Sequence, residues 1–145
     1  MPLLTRITTY SAKPALAGVW GVVTYAELGE LIAKAKQSLA HLKLDRPTAF
    51  GLIGDHGPAS TAWLIALAEA GHFVAPLSGN PAEFPAKLAL IKAQWIVATG
   101  HTSWDLLPRV DEPSTHPLFT HLREQGSAGL VLFSSGTSGA PKAMV

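Results

Sequence analysis

The sequence predicts an α/β fold, a mostly parallel sheet flanked by helices. Two observations predict it. First, three short, β-rich, apolar runs recur along the chain: Thr48–Ile53 (TAFGLI), Phe73–Leu77 (FVAPL) and Trp95–Thr99 (WIVAT). Such runs have the character of strands covered on both faces. Second, the segments between them carry helix start and stop signals and are joined by short connections. A β-α-β-α-β order of this kind argues for parallel neighbouring strands with helices on the faces of the sheet.

The elements follow in chain order. Ala15–Val23 is short, apolar and punctuated by glycine, which suits a strand or hairpin. Residues 24–42 form a helix, because Leu28, Leu31, Ile32, Ala35, Leu39 and Leu42 recur on one face. Thr24 and Glu27 stand in a T-x-x-E capping box at its start. Pro58–Ala70 is a second helix, apolar nearly all round through Trp63, Leu64, Ile65 and Leu67, and so expected to be buried on most sides. Gly71 stops it. Asn80-Pro81 supplies an N-cap and a first-turn proline, with Glu83 three residues after the cap. The helix that follows turns Phe84, Leu88 and Ile91 to one side. Residues 100–128, broken by Pro108, Pro113 and Pro117, read as a loop with one short helix. Gly129–Phe133 (GLVLF) reads as the last strand. Leu28, Leu31, Leu39, Trp63, Leu67, Leu88 and Ile91 are the expected core.

Composition narrows the function classes. The 145 residues, 15.3 kDa, make one ordinary domain. Charged residues are 14% of the chain, against about 25% in typical soluble domains. Mean hydropathy is +0.25. This shortage of charged surface is what a chain with part of its outside covered would show. Eleven basic and ten acidic side chains leave a formal charge of +1, without the clustered basic excess of a nucleic-acid binder. The absence of cysteine excludes disulfides, thiolate catalysis and cysteine-based zinc sites. The first residues lack the pattern of a secretory signal. The longest apolar stretch, within Pro58–Ala70, is too short to span a bilayer, so a cytoplasmic location is expected.

The chemistry is concentrated in Ser134-Ser135-Gly136-Thr137-Ser138-Gly139-Ala140-Pro141-Lys142, which follows an apolar strand. Glycines let backbone N–H groups approach an anion without a Cβ in the way. Consecutive amides in such a turn form a concave anion site. Hydroxyls add donors, and Lys142 adds a full positive charge, with Arg123 the nearest other cation upstream in sequence. The set suits a polyphosphate. It is not a Walker A loop, because Lys142 stands three residues beyond Gly139 and behind Pro141. It is not a G-x-S-x-G nucleophile elbow either. Read from the residues alone, a flexible Gly/Ser linker remains the competing account.

LVLFSSGTSGAPKAMV resembles the signature phosphate loop of the adenylate-forming enzymes, which include acyl- and aryl-CoA synthetases, peptide-synthetase adenylation domains and luciferase. The family pattern is an apolar strand followed by [ST]-S-G-[TS]-[TS]-G-x-P-K-G, and residues 134–142 fit each defined position. Thr24-Tyr25-Ala26-Glu27-Leu28 is similar to the T-Y-x-E-L that opens the family's first long helix. Ala66–Leu77 (ALAEAGHFVAPL) is similar to its helix–Gly–strand segment ending in V-P-L. The three occur in the family's order. One departure is Ala143, where the family usually has glycine.

The resemblance implies an N-terminal subdomain piece of an adenylate-forming enzyme. Residues 1–145 would be the N-terminal fragment of the large AMP-binding domain, ending just after the loop at 134–142. It implies an ATP-dependent acid–thiol ligase: a carboxylic acid attacks the α-phosphorus of ATP, giving acyl-AMP and pyrophosphate, and a thiol of CoA or of a phosphopantetheine carrier then takes the acyl group. Mg²⁺ would accompany the phosphates. Ser134, Ser135, Gly136, Thr137, Ser138 and Gly139 would supply hydroxyl and amide donors, and Lys142 would neutralise charge. The family's acid pocket, adenine and magnesium motif, ribose-binding aspartate and catalytic lysine have no counterpart here. The partners would be the acid and the remainder of the enzyme, and the 145 residues alone would be inactive. A non-catalytic nucleotide- or phosphate-binding module, and a scaffold domain ending in a linker, are the alternatives.

Other candidates carry less. His41, His56, His72, His101, His116 and His121 show no local metal-site spacing and read as surface or capping residues. Asp55-His56 follows a strand but lacks an elbow serine for a hydrolase. Trp20, Trp63, Trp95 and Trp104 read as core. Lys34, Lys36 and Lys43 read as a solvated helix face.

Overall fold

The computed structural model describes residues 2–109, 112–135 and 139–145. In chain order the elements are α1 (Pro2–Thr9), β1 (Pro14–Gly18), β2 (Gly21–Thr24), α2 (Tyr25–His41), β3 (Ala49–Ile53), α3 (Pro58–Glu69), β4 (Phe73–Leu77), a 3₁₀ turn (Pro81–Glu83), α4 (Phe84–Leu90), β5 (Trp95–Thr99), β6 (Trp104–Pro108), α5 (Pro117–Glu124), β7 (Gly129–Leu130), β8 (Leu132–Ser135) and β9 (Pro141–Met144).

The central sheet has the order β6-β5-β3-β4-β7. β5, β3, β4 and β7 run parallel, and β6 closes one edge antiparallel to β5. The expected neighbours TAFGLI, FVAPL and WIVAT are therefore adjacent and parallel. Side chains of β3 alternate between the two faces. Phe50 and Leu52 join Ala35 and Leu39 of α2 and Trp63, Ala66 and Leu67 of α3. Ala49 lies on the other face, with Phe73, Ala75 and Leu77 of β4 packed against Phe84 and Leu88 of α4 and Phe119 of α5. Gly51 lies where Leu88 of α4 packs onto the sheet, since a Cβ there would overlap the Leu88 side chain. Every residue of the expected core is buried.

Local chemistry sets the helix ends. The Glu27 amide donates to Thr24 Oγ1, and the Thr24 amide donates to Glu27 Oε2 at 2.7 Å, which completes the capping box. These bonds to Thr24 hold the Glu27 carboxyl below the usual carboxylate range. Asn80 Oδ1 accepts from the Ala82 amide at 3.1 Å and starts the 3₁₀ turn rather than α4 itself. The helix proper begins at Phe84.

Several sequence expectations are corrected. The first residues, for which the sequence pattern predicts no element, form helix α1, whose Ile7 is buried with Leu28, Leu31 and Ile32 of α2. Residues 100–128 contain the expected short helix, α5, but also strand β6. Trp104 and Leu106 turn inward and Asp105 outward, and Pro108 is tolerated because β6 is an edge strand. GLVLF is not one strand. β7 pairs with β4 over two residues. Val131, fully buried, donates its amide to the Val74 carbonyl at 2.8 Å. The chain then leaves the sheet and forms the hairpin β8–β9. Trp63 is fully buried, and Trp95 and Trp104 are partly buried against the core, but Trp20 is half-buried and lines two surface clefts instead. Lys36 is not simply solvated, because it forms an ion pair with Glu69 of α3. His72 is buried rather than on the surface, whereas His116 caps α5 as expected of a capping residue.

Candidate functional site

The described ends of the 134–142 segment are carried by the hairpin β8–β9. Its register pairs Leu132 with Met144, Phe133 with Ala143, Ser134 with Lys142 and Ser135 with Pro141. Cross-strand partners share a face of a ribbon, so Ser134 and Lys142 belong to the same face. The hairpin follows the carboxyl end of β7. The segment leading to α4 starts from the carboxyl end of the parallel neighbour β4, so both lie at the end of the sheet where open α/β folds place their ligands.

Ser134, Ser135, Gly139 and Lys142 are brought together at the two arms of this hairpin. Gly136, Thr137 and Ser138 lie outside the described residues. Gly139 has φ +75° and an open site where a Cβ would stand, so its backbone is uncovered at the base of the turn. Lys142 is exposed. Ala143 lies in β9 opposite Phe133 and is exposed, so the departure from glycine falls on regular strand.

The sequence did not point to the residues that α4 adds. A cleft of about 350 Å³ beside the hairpin is lined by Glu83, Lys87, Phe133, Ser134, Gly139 and Pro141, with Ala82 and Ala86. Lys87 Nζ donates to Glu83 Oε2 at 2.7 Å and stands 5.8 Å from the centre of the Phe133 ring. Lys142 is thus not the only cation near the loop. The i, i+4 spacing of Glu83 and Lys87 is the one signal that sequence offers, and it is common on any helix.

The described donors fit an anion. In the cleft they comprise Ser134, the exposed backbone at Gly139 and the Lys87 ammonium, groups that can hold phosphate oxygens, while Lys142 stands on the ribbon face opposite Phe133. Among the described residues no group of three or more His, Cys, Asp or Glu side chains could hold an ion, and no residue here is assigned to Mg²⁺.

The remaining sequence candidates do not converge on this hairpin. Asp55, His56 and His101 line a separate cleft of about 270 Å³ with Trp20, whose ring centre is 5.7 Å from that of His101. Ser60, near Asp55, has a buried structural role. Its hydroxyl accepts from the Gly57 amide at 2.9 Å and bonds the Asp55 carbonyl at 3.1 Å, closing the start of α3. Among the described residues, no helix is long and apolar enough to cross a membrane.

No protein-family model and no curated protein matches the sequence. The fold does have solved counterparts. The chain is similar to the Klebsiella oxytoca NpsA N-terminal subdomain in complex with 3-hydroxybenzoyl-AMSN, with a TM-score of 0.68 and 19% identity over 98% of this chain and 39% of that one. It is similar to the inhibitor-bound N-terminal domain of FACL13 from Mycobacterium tuberculosis, with a TM-score of 0.69 and 17% identity over 99% of this chain and 42% of that one. It is also similar to holo-PA1221, an NRPS protein containing adenylation and PCP domains, with a TM-score of 0.60 and 20% identity over 97% of this chain and 27% of that one. The chain spans about two fifths of the first two structures. The likeness shows that it has the fold of this part of adenylation enzymes.

Proposed function

We propose that the chain is the N-terminal part of an ATP-dependent acid–thiol ligase, residues 1–145 of its AMP-binding domain, ending just after the phosphate loop. The observation that carries this reading is the SSGTSGAPK sequence on a hairpin at the carboxyl end of a sheet whose fold is that of adenylation-enzyme N-terminal subdomains. Half-exposed Leu130, Leu132 and Met144 give the remainder of such an enzyme an apolar surface to cover.

ATP, when bound, supplies an activated α-phosphorus for the carboxylate and pyrophosphate as leaving group. This chain's part is to hold phosphate. Ser134, Ser135, Gly136, Thr137, Ser138 and Gly139 would supply hydroxyl and amide donors to the β- and γ-phosphates, and Lys142 would offset their charge. Positioning and charge neutralisation are most of what phosphoryl-type transfer asks of a protein. The acid, the CoA or phosphopantetheine acceptor and Mg²⁺ meet groups outside these residues. A cytoplasmic location goes with this activity.

The test is calorimetric titration of the 145-residue chain with ATP and with pyrophosphate. Mutually exclusive binding of the two supports the phosphate loop. No heat from either at millimolar concentration would leave a scaffold domain ending in a linker.

A further inference from the structure

We infer that Lys87 is a second phosphate-binding cation of this site, held beside the loop by Glu83 and transferred to the polyphosphate when it binds. The inference rests on the reading of residues 134–142 as a phosphate loop, but on different residues. The Lys87 side chain is 16% exposed, although it carries a charge, while its partner Glu83 is 57% exposed. A surface i, i+4 pair ordinarily keeps both groups in water. Here most of the Lys87 side chain is covered, and the carboxylate of Glu83 stands at the rim. The burial is against the hairpin: Phe133 offers its ring to Nζ, and Ser134 and Gly139 share the cleft.

An ammonium has three N–H donors. The contact to Glu83 is the hydrogen bond that Lys87 makes among the described residues, so donors are left for a ligand in the cleft. A pyrophosphate arriving there carries more charge than one carboxylate and more acceptor oxygens. It competes with Glu83 for the same ammonium, and the exposed Glu83 side chain can turn to solvent without leaving a buried charge behind. Glu83 is therefore a competitor of the ligand, and Lys87 a contact to it. A purely structural helix pair predicts neither.

The experiment is calorimetric titration of the full chain with inorganic pyrophosphate, comparing wild type with Lys87→Gln, Lys87→Arg, Glu83→Gln and Lys142→Ala. Circular dichroism melts check that each variant is folded. Lys87→Gln is expected to weaken binding about tenfold and Lys87→Arg to keep it near wild type. Glu83→Gln is expected to tighten binding, and it reads the same contact even if Lys87→Gln does not fold. Unchanged binding in folded Lys87→Gln, with loss in Lys142→Ala, would overturn this inference and leave the loop reading intact. Weakening by Glu83→Gln would also overturn it, since the pair would then act by shaping the cleft. Absence of binding by the wild type would instead remove the loop reading itself.

Discussion

The Thr48 amide donates to Nδ1 of His72 at 3.1 Å, joining the residue before β3 to the residue before β4. The Phe73 amide returns a bond to the Thr48 carbonyl at 3.0 Å, and the Gly129 amide donates to the His72 carbonyl at 3.2 Å. One buried histidine thus ties together the starts of three strands. As an acceptor at Nδ1 it must be neutral there, and burial lowers its pKa below the ordinary value.

Stability should therefore depend on pH through His72. Above the unfolded-state pKa of about 6.5 neither state binds the proton, and the full stability is present. Below it the unfolded chain takes up a proton that the folded chain refuses. Stability is lost as pH falls, until the depressed folded-state pKa is passed. The slope in that window is at most about 1.4 kcal/mol per pH unit. Urea midpoints at pH 7.5 and 5.5 measure it, and His72→Gln should flatten the difference. An equal slope in both proteins would count against this role.

Lys36 pairs with Glu69, whose side chain is only 10% exposed and whose second oxygen, Oε1, is buried without a hydrogen-bond partner among the described residues. Lys36→Met should cost about 1–3 kcal/mol, because it strands a mostly buried carboxylate. Adding Glu69→Leu should recover most of the loss. Denaturant unfolding of both variants checks it, and a double variant no better than the single would disprove the pairing energy.

Gly51 meets the buried Leu88 side chain. Gly51→Val should destabilise the chain by about 1–3 kcal/mol by overpacking. Leu88→Ala, costly alone, should cost less in the Gly51→Val background, giving a measurable coupling in a double-mutant cycle.

On the proposed ligase reading, Lys142→Ala in the whole enzyme should slow adenylation about ten- to a hundredfold and leave the melting temperature unchanged, since Lys142 is exposed on β9. Thiol transfer from pre-formed acyl-adenylate should suffer less, because pyrophosphate has already left. Equal losses in the two half-reactions would mean that Lys142 acts elsewhere.

On the proposed reading, the 145-residue chain should give no acid-dependent ATP–pyrophosphate exchange, since residues 134–142 would hold phosphate while the ribose and catalytic-lysine motifs of the adenylate-forming enzymes that it resembles have no counterpart in it. Radiolabelled exchange measures this directly. Exchange above background would show that these residues suffice for adenylation.

The central sheet was legible because β3, β4 and β5 are apolar on both faces, and because Thr24, Asn80 and the helix face of Leu28, Leu31 and Leu39 obey local rules. β6 was not legible: Asp105 and Pro108 interrupt its pattern, and its place at the sheet edge is what tolerates them. The break within GLVLF was hidden because Val131 is as apolar as its neighbours. Only the bond from its amide to Val74 shows where one sheet ends and the hairpin begins. Of the candidate site, the loop was read from its glycines, hydroxyls and lysine. Lys87 was missed because it lies 47 residues before Ser134 in the chain, and pairing with Glu83 is an ordinary helical pattern.

Among the described residues, β8 pairs with β9 and with no strand of the five-stranded sheet. The hairpin thus carries its own ladder, and it meets the layer of apolar side chains through Phe133, which packs against the same core as Val131. Core residues can be exchanged for others of like volume without shifting the ribbon's own ladder. A scaffold of this kind can stand on quite different side chains, as the likeness to NpsA and FACL13 at under one residue in five identical shows.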